Sequence, residues 1–367
     1  MEWVVGSVQH YDWGDRQYIP RLLECEADGE PWAEWWLGTH AGAPSRLADG
    51  RSLREHCGEL PYLLKILAAD AALSLQTHPS RAQAEAGVDR EDAAGMALDA
   101  PERIYRDRSP KPELLCALTS FDALCGFRPV RATVDLCDEL GLVTLSANLR
   151  DQGLAATVDA LYRGHLDPAP IIEVCAMREA PEATLVTQLA EQYPGDPSVV
   201  VTLLLNRVVL SPGEALFLGP GNLHAYLHGA GVEIMGASDN VVRGGLTTKH
   251  VDVDELLSVL TIEPLDEPLT FPREVAPDQW CYDTPGTPFR LWRFEVAGPF
   301  THTATGRELV LCVDGATDTL ERGETVVLLP GEELRLHGIA TLFRVEEVTD
   351  AVSDAVSRTV TDAAPAG

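Results

Sequence analysis

Lysine is nearly absent from this sequence. Of 28 basic residues only three are lysine, Lys65, Lys111 and Lys249, and the rest are arginine. Lysine is ordinarily among the commonest residues. The three that remain point to places where a compact ammonium is needed and a planar guanidinium will not serve. Positive charge as a whole is also scarce, with 57 acidic residues and a formal net charge of −29. That field argues against nucleic acid and anionic membrane as partners. It equally repels a phosphorylated metabolite, so a phosphate site here requires a local cluster of cations. No two of the eight cysteines stand at CxxC spacing, which argues against a zinc knuckle or a dithiol redox motif. A chain of 367 residues needs no disulfide staples, so free buried thiols and a cytoplasmic location are expected. No basic segment leading into an apolar run follows Met1, and no signal peptide is expected. The longest apolar stretch, Val199 to Leu210, contains Asn206 and Arg207 and is too short to span a membrane.

What is present is ordinary for a soluble globular protein: 45% hydrophobic and 23% charged residues, in a length that suits two or three domains. Residues 1–127 carry short apolar runs between turn signals. Ala72-Leu73-Ser74-Leu75-Gln76-Thr77-His78 alternates with period two and reads as a strand; Tyr62 to Ala69 is apolar throughout except for Lys65. Residues 128–204 change character. Ala132–Leu140, Gly153–Tyr162 and Pro181–Gln192 have helical spacing, punctuated by Gly141, Gly164 and Pro194-Gly195. From Val208 strands return, with a Pro-Gly-Glu turn, the strand Ala215–Leu218, a Gly-Pro-Gly turn and then Asn222-Leu223-His224. This rhythm resembles half of a cupin motif. After an acidic, proline-rich connection, Arg322–Gly331 repeats it without a His/Glu set. The expected organisation is a mainly β (α+β) protein of cupin-type barrels. A discontinuous catalytic barrel spans 1–127 and 205–262, and a helical insertion 128–204. A second, metal-free barrel spans 263–348, and residues 349–367 form a flexible tail.

The chemistry-bearing candidates fall close together. Gln76 and His78, at i and i+2, share one face of a strand. Glu113 follows in Ser109-Pro110-Lys111-Pro112-Glu113, where prolines hold the backbone extended. With His224, these offer two imidazoles, a carboxylate and an amide oxygen, a set suited to a borderline divalent ion such as zinc. His10, His40, His56, His165, His228, His302 and His337 are read as structural. The polar run Ser238-Asp239-Asn240-Val241-Val242-Arg243-Gly244-Gly245-Leu246-Thr247-Thr248-Lys249 reads either as a solvated loop or as part of a site. All three lysines lie beside these residues.

Six ordered motifs resemble type I phosphomannose isomerases. They are Pro31–His40, Leu64-Lys65-Ile66-Leu67, Leu73–Pro79, Lys111-Pro112-Glu113, Gly221–Tyr226 and Ser238–Thr247. The resemblance runs from about Tyr11 to Leu257. It implies a cupin-based, zinc-dependent isomerase of mannose 6-phosphate and fructose 6-phosphate, working by proton transfer through an enediol. It implies one Zn2+ held by Gln76, His78, Glu113 and His224. Ser74 and Lys65 match the phosphate end; Lys111, Glu233, Asp239, Arg243 and Lys249 match the polar ring around the sugar. The partner expected is a small-molecule sugar phosphate, with the chain a monomer or weak homo-oligomer. Pro110 stands where the family usually has histidine and Thr248 where it usually has proline. The base is therefore left among Glu233, Asp239 and Lys111. The competing readings are a non-catalytic sugar-binding cupin, an isomerase of another aldose phosphate, and an iron-dependent oxygenase, which neither Gln76 nor the basic cluster suits.

Overall fold

The structure is a computed structural model and describes residues 1–348; the expected tail, 349–367, lies outside the described residues. Two antiparallel sheets dominate. The first, of eleven strands, runs along its main path through Leu269–Thr270, Ala215–Leu218, Glu113–Ala117, His224–Gly236, Tyr62–Ala69, Glu34–Gly38 and Ser7–Gln9. The strand His224–Gly236 is its pivot. Its second half pairs with Tyr62–Ala69 and Glu113–Ala117, whereas its first half pairs with Leu75–Thr77 and Phe121–Phe127. One strand thus serves both walls of a barrel. The change of wall falls at Gly229, whose φ of +122° suits glycine and where a Cβ would lie 2.6 Å from the Ser120 carbonyl oxygen.

Leu, Ile and Ala fill Tyr62–Ala69 on both faces, and all eight residues are buried, as expected of a strand covered on two sides. The covering on one side is the second sheet. Its order is Arg273–Ala276, Gln279–Tyr282, Phe289–Thr303, Glu333–Glu347, Glu308–Thr317, Thr325–Leu328, Glu2–Val5 and Arg46–Leu47. Leu64, Ile66, Val232 and Ile234 share a core with Leu309, Leu311, Val327 and Phe343. The sequence reading put all of 1–127 in the first barrel. Instead, Glu2 and Trp3 pair with Val327 and Val326 of the second sheet, because a four-residue strand bounded by Gly6 carries no mark of its partner.

The helical segment comprises Val130–Leu140, Val143–Tyr162, Ala169–Cys175, Pro181–Gln192 and Ser198–Val201. Gly141 caps the first in the left-handed region, at φ +77°. Gly153, at φ +80°, kinks the second, where the spacing had marked a helix start. Their apolar faces pack on Leu124, Phe127, Leu223, Val242 and Leu246, behind the site. Outside that segment four helices escape the periodicity reading, the one-turn Tyr18–Leu22 and Leu53–Cys57 among them. Arg81–Ala93 is polar on most of its surface, but Ser80 and Gln83 form a capping box that announces it. Val253–Val259 starts at Asp252, whose side chain accepts from the Glu255 N–H. Seven of the eight free cysteines are buried; Cys25 is exposed.

Candidate active site

Strand register builds the site. Gln76 lies between two neighbours, paired with His224 on one side and Arg243 on the other. In the adjoining wall, Lys65 pairs with Trp36 on one flank and Glu233 on the other, and Met235 pairs with Glu113. Two cross-strand rows, Arg243–Gln76–His224 and Trp36–Lys65–Glu233, thus come from five strands dispersed along the chain, with His224 and Glu233 both on His224–Gly236.

His78, Glu113 and His224 are buried and offer ligand atoms that all lie within 4.8 Å of one another. His78 Nε2 is 3.2 Å and His224 Nε2 3.4 Å from the two oxygens of Glu113. Each ring is oriented through its other nitrogen. The Nδ1–H of His78 donates to the Asn240 carbonyl at 2.8 Å, and that of His224 to the Asn222 carbonyl at 3.0 Å. That tautomer leaves both Nε2 lone pairs aimed at Glu113, the usual arrangement around a metal. His78 Nε2 is buried and has no hydrogen-bond partner. Burial, the largest influence, brings the His78 pKa down to about 4, so the ring is neutral at pH 7. Burial also disfavours the Glu113 carboxylate, but Lys111, whose Nζ is 3.0 Å away, and His78 outweigh it and hold the carboxyl well below the usual range. Neutral imidazoles, a carboxylate and an orphaned buried nitrogen fit a divalent ion such as zinc. Gln76 stands beside them, its Nε2 3.5 Å from His224 Nε2 and its Oε1 3.4 Å from Ser74 Oγ. Exchanging the two ends of the amide puts the oxygen toward the group.

A cavity of about 260 Å³ opens beside these ligands, lined among others by Lys65, Ser74, Gln76, Lys111, Glu113, Glu233, Asp239 and Lys249. An adjoining cavity of about 620 Å³ shares Ser74, Gln76 and Lys249 and adds Arg243 and Thr247. All three lysines therefore reach one site, but in different electrostatic states. Lys65 is buried between Glu34 and Glu233, at 2.9 and 3.0 Å. Burial opposes its charge, but those two carboxylates overcome it and hold the ammonium above its ordinary range. Lys111 is paired with Glu113. Arg243 and Lys249 form no ion pair with any described residue and face the outer cavity. The resemblance placed Lys65 at the phosphate end; with its charge already balanced at the cavity floor, it is the least available of the cations.

Glu233 accepts from Tyr226 Oη at 2.8 Å through one oxygen and faces Lys65 through the other. Its pKa is raised, chiefly by burial, against the pull of Lys65. Asp239 lies at the rim, 3.4 Å from His40 Nε2, and the hydrogen bond from His40 keeps its carboxyl below the ordinary range. His40 was read from sequence as structural; it lines the cavity and stands edge-on to Trp36. Glu34, Trp36 and Tyr226 were likewise missed, since single residues within apolar strands give no signal until partners are known. The Ser238–Lys249 segment combines both of its readings. Asn240 is fully buried and clasps the chain before Lys111, accepting from the Arg106 N–H and donating to the Asp107 and Ser109 carbonyls. Asp239, Arg243 and Lys249 line the cavities. Pro110 lines neither; it borders a separate pocket beside Pro61 and Arg81.

Comparison with known proteins agrees over most of the chain. The pattern of "phosphomannose isomerase type I, catalytic domain" matches residues 3–130. Mannose-6-phosphate isomerase of Escherichia coli (strain K12) is 31% identical over 366 residues, covering 90% of this chain and 93% of that protein. The Homo sapiens protein of the same name is 31% identical over 383 residues, covering 88% and 87%. A point mutant of phosphomannose isomerase from Salmonella typhimurium superposes with a TM-score of 0.87 at 30% identity, covering 95% of this chain and all of that one. A structure of the mannose 6-phosphate isomerase from that organism, bound to substrate (f6p) and zinc, gives 0.82 at 29%, with the same coverage.

Proposed function

The chain belongs to the type I phosphomannose isomerase family, and from that footing we propose that it is a zinc-dependent aldose–ketose isomerase of D-mannose 6-phosphate and D-fructose 6-phosphate. One observation carries the reading. In a chain of net charge −29, a metal-competent His78–Glu113–His224 group shares a connected cavity with two unpaired cations, Arg243 and Lys249. A bare sugar needs no such cations, and a phosphate repelled by the rest of the surface does.

Gln76, His78, Glu113 and His224 hold the ion, which when bound supplies a Lewis acid toward the sugar's oxygens. Ser74, Arg243 and Lys249, at the outer cavity, bind and orient the phosphate, leaving C1 and C2 over the inner one. A proton then moves between those carbons through an enediol. Glu233 serves as the base: it is buried at the inner cavity, and burial raises its pKa toward the operating pH. Lys65 and Tyr226 fix its two oxygens, and Lys65 balances the charge that Glu233 and Glu34 would otherwise leave in the floor. Trp36, Tyr226 and the strands beneath exclude water from the same wall.

Conversion of mannose 6-phosphate, followed through a coupled assay for fructose 6-phosphate, is expected from the zinc-loaded protein and is lost on chelation. Full turnover in verified metal-free protein would defeat the metal-dependent mechanism, and metal-loaded protein without turnover would favour a binding-only cupin. In deuterated water, solvent deuterium is expected at the carbon adjoining the carbonyl of product or recovered substrate, whereas a hydride shift would carry none. Arg243→Ala is expected to lower kcat/KM ~10–100-fold, about 1.4–2.7 kcal/mol of transition-state stabilisation. If the loss is confined to KM, Arg243 binds substrate and transition state equally.

A further inference from the structure

A separate cavity, lined by both apolar and charged side chains, lies on the far side of the first sheet, where the two sheets meet. It encloses about 480 Å³ and is walled by a helix, Tyr18–Leu22, by the second sheet, and by Ala117-Leu118 and Pro212-Gly213 of the first. None of its residues lines the cavities beside the metal ligands. Three arginines, Arg21, Arg293 and Arg322, converge on it. Arg21 has no ion pair among the described residues, whereas Arg322 Nη2 pairs with Glu24 at 2.8 Å and Arg293 Nε stands 3.5 Å from Glu295. Arg293 stacks on Trp280, its guanidinium carbon 4.3 Å from the ring centroid, so its plane is fixed. Each pairing occupies part of a guanidinium that carries five N–H donors, so Arg293 and Arg322 keep donors beside the unpaired Arg21.

The acids at this cavity narrow the ligand. Glu295 is held by Thr341, whose Oγ1 donates to it at 2.6 Å, and Asp314 lies at the rim. Two carboxylates among three guanidiniums disfavour a polyphosphate, which would meet repulsion along its length. Carboxylates and hydroxyls do suit a polyhydroxyl body, whose O–H groups donate to them. Tyr18 adds an aromatic wall of the kind small-ligand pockets use, and the volume falls in the usual range for such pockets. We propose that this inter-sheet cavity is a second binding site for a small sugar phosphate, its phosphate held by Arg21, Arg293 and Arg322 and its hydroxyls by Glu295, Thr341 and Asp314. The site is independent of the isomerase reading, and its test reads binding instead of turnover.

The probe is α-D-glucose 1-phosphate, whose blocked anomeric carbon cannot open to a carbonyl, titrated calorimetrically into zinc-loaded full-length protein. Inorganic phosphate is the second arm. The Arg21→Ala/Arg322→Ala double variant removes two cations that lie outside the metal pocket. Expected are at least tenfold weaker binding of the glucose phosphate in the variant, with mannose 6-phosphate kcat/KM within about twofold of wild type and an unchanged Tm. Should the double variant prove unstable, Arg21→Gln alone, at an exposed position without an ion pair, is expected to weaken the probe at least threefold. Equal affinity in wild type and variants, or no binding to wild type at millimolar probe, overturns the proposal. Glucose phosphate binding no tighter than inorganic phosphate overturns the sugar half of it.

Discussion

His224→Ala is expected to leave the protein folded and nearly without zinc, with affinity for the ion lowered at least ~100-fold and kcat lowered in step. The magnitude follows from the site's construction. Changing residues that merely orient metal ligands costs 10–100-fold in affinity or activity, and His224 offers a ligand atom itself. Its imidazole is oriented by the Asn222 carbonyl and lies 3.4 Å from Glu113. Fold integrity is expected to survive, because the strand that carries it, His224–Gly236, is held along its length by four others. Zinc content by elemental analysis and turnover by the coupled assay check this together. Stoichiometric zinc in the variant would remove His224 from the ligand set; full activity without zinc would remove the ion from the mechanism.

Glu233→Gln is expected to lower kcat ~10²–10⁴-fold, the usual effect of losing a general base, with KM changing little. The substitution keeps the volume and one oxygen, so Tyr226 Oη retains an acceptor. The new amide N–H₂ faces Lys65, however, where a carboxylate oxygen stood at 3.0 Å. Some of the loss will therefore come from disturbing Lys65. A Lys65→Met comparison separates the two: a positioning role for Lys65 predicts a smaller fall in kcat than in Glu233→Gln. Retention of more than about a tenth of wild-type kcat in Glu233→Gln would pass the base to Asp239 or Lys111. Their geometry makes each a weaker candidate. Asp239 is half-exposed and bonded to His40, and Lys111 is bound to Glu113.

The scarcity of lysine located the site from composition: three residues dispersed over nearly two hundred positions converge on one cavity. What composition could not tell is which of them is free. The balance of Lys65 by Glu34 and Glu233 depends on the register of Glu34–Gly38, Tyr62–Ala69 and His224–Gly236, and register is a property of pairing. The same reason hides His40, Glu34 and Tyr226, whose neighbours come from other strands. The helices of 128–204 were legible through their 3.6-residue period, whereas Arg81–Ala93, which buries only Ala84, Gly87, Val88 and Glu91, could be found only from its capping box. The inter-sheet cavity left no trace in sequence, since its arginines come from positions 21, 293 and 322 in a chain where arginine is everywhere.

The pairing of Glu2 and Trp3 with Val327 and Val326 bears on how the chain is made. These partners are separated by nearly the whole described sequence, and chains grow at roughly 5–20 residues per second. On the ribosome, the early strand therefore waits on the order of 15–65 seconds for its partner. Through that interval the apolar inner face of Tyr62–Ala69, buried in the end against Leu309, Leu311 and Val327, has no cover from the second sheet. Contacts of such long separation are slow to form, and unpaired strand edges aggregate. Completion of the shared core must wait until Leu309 to Phe343 have emerged, so recovery of native protein will respond to chaperones and to slowed translation more than the stability of the finished molecule would suggest.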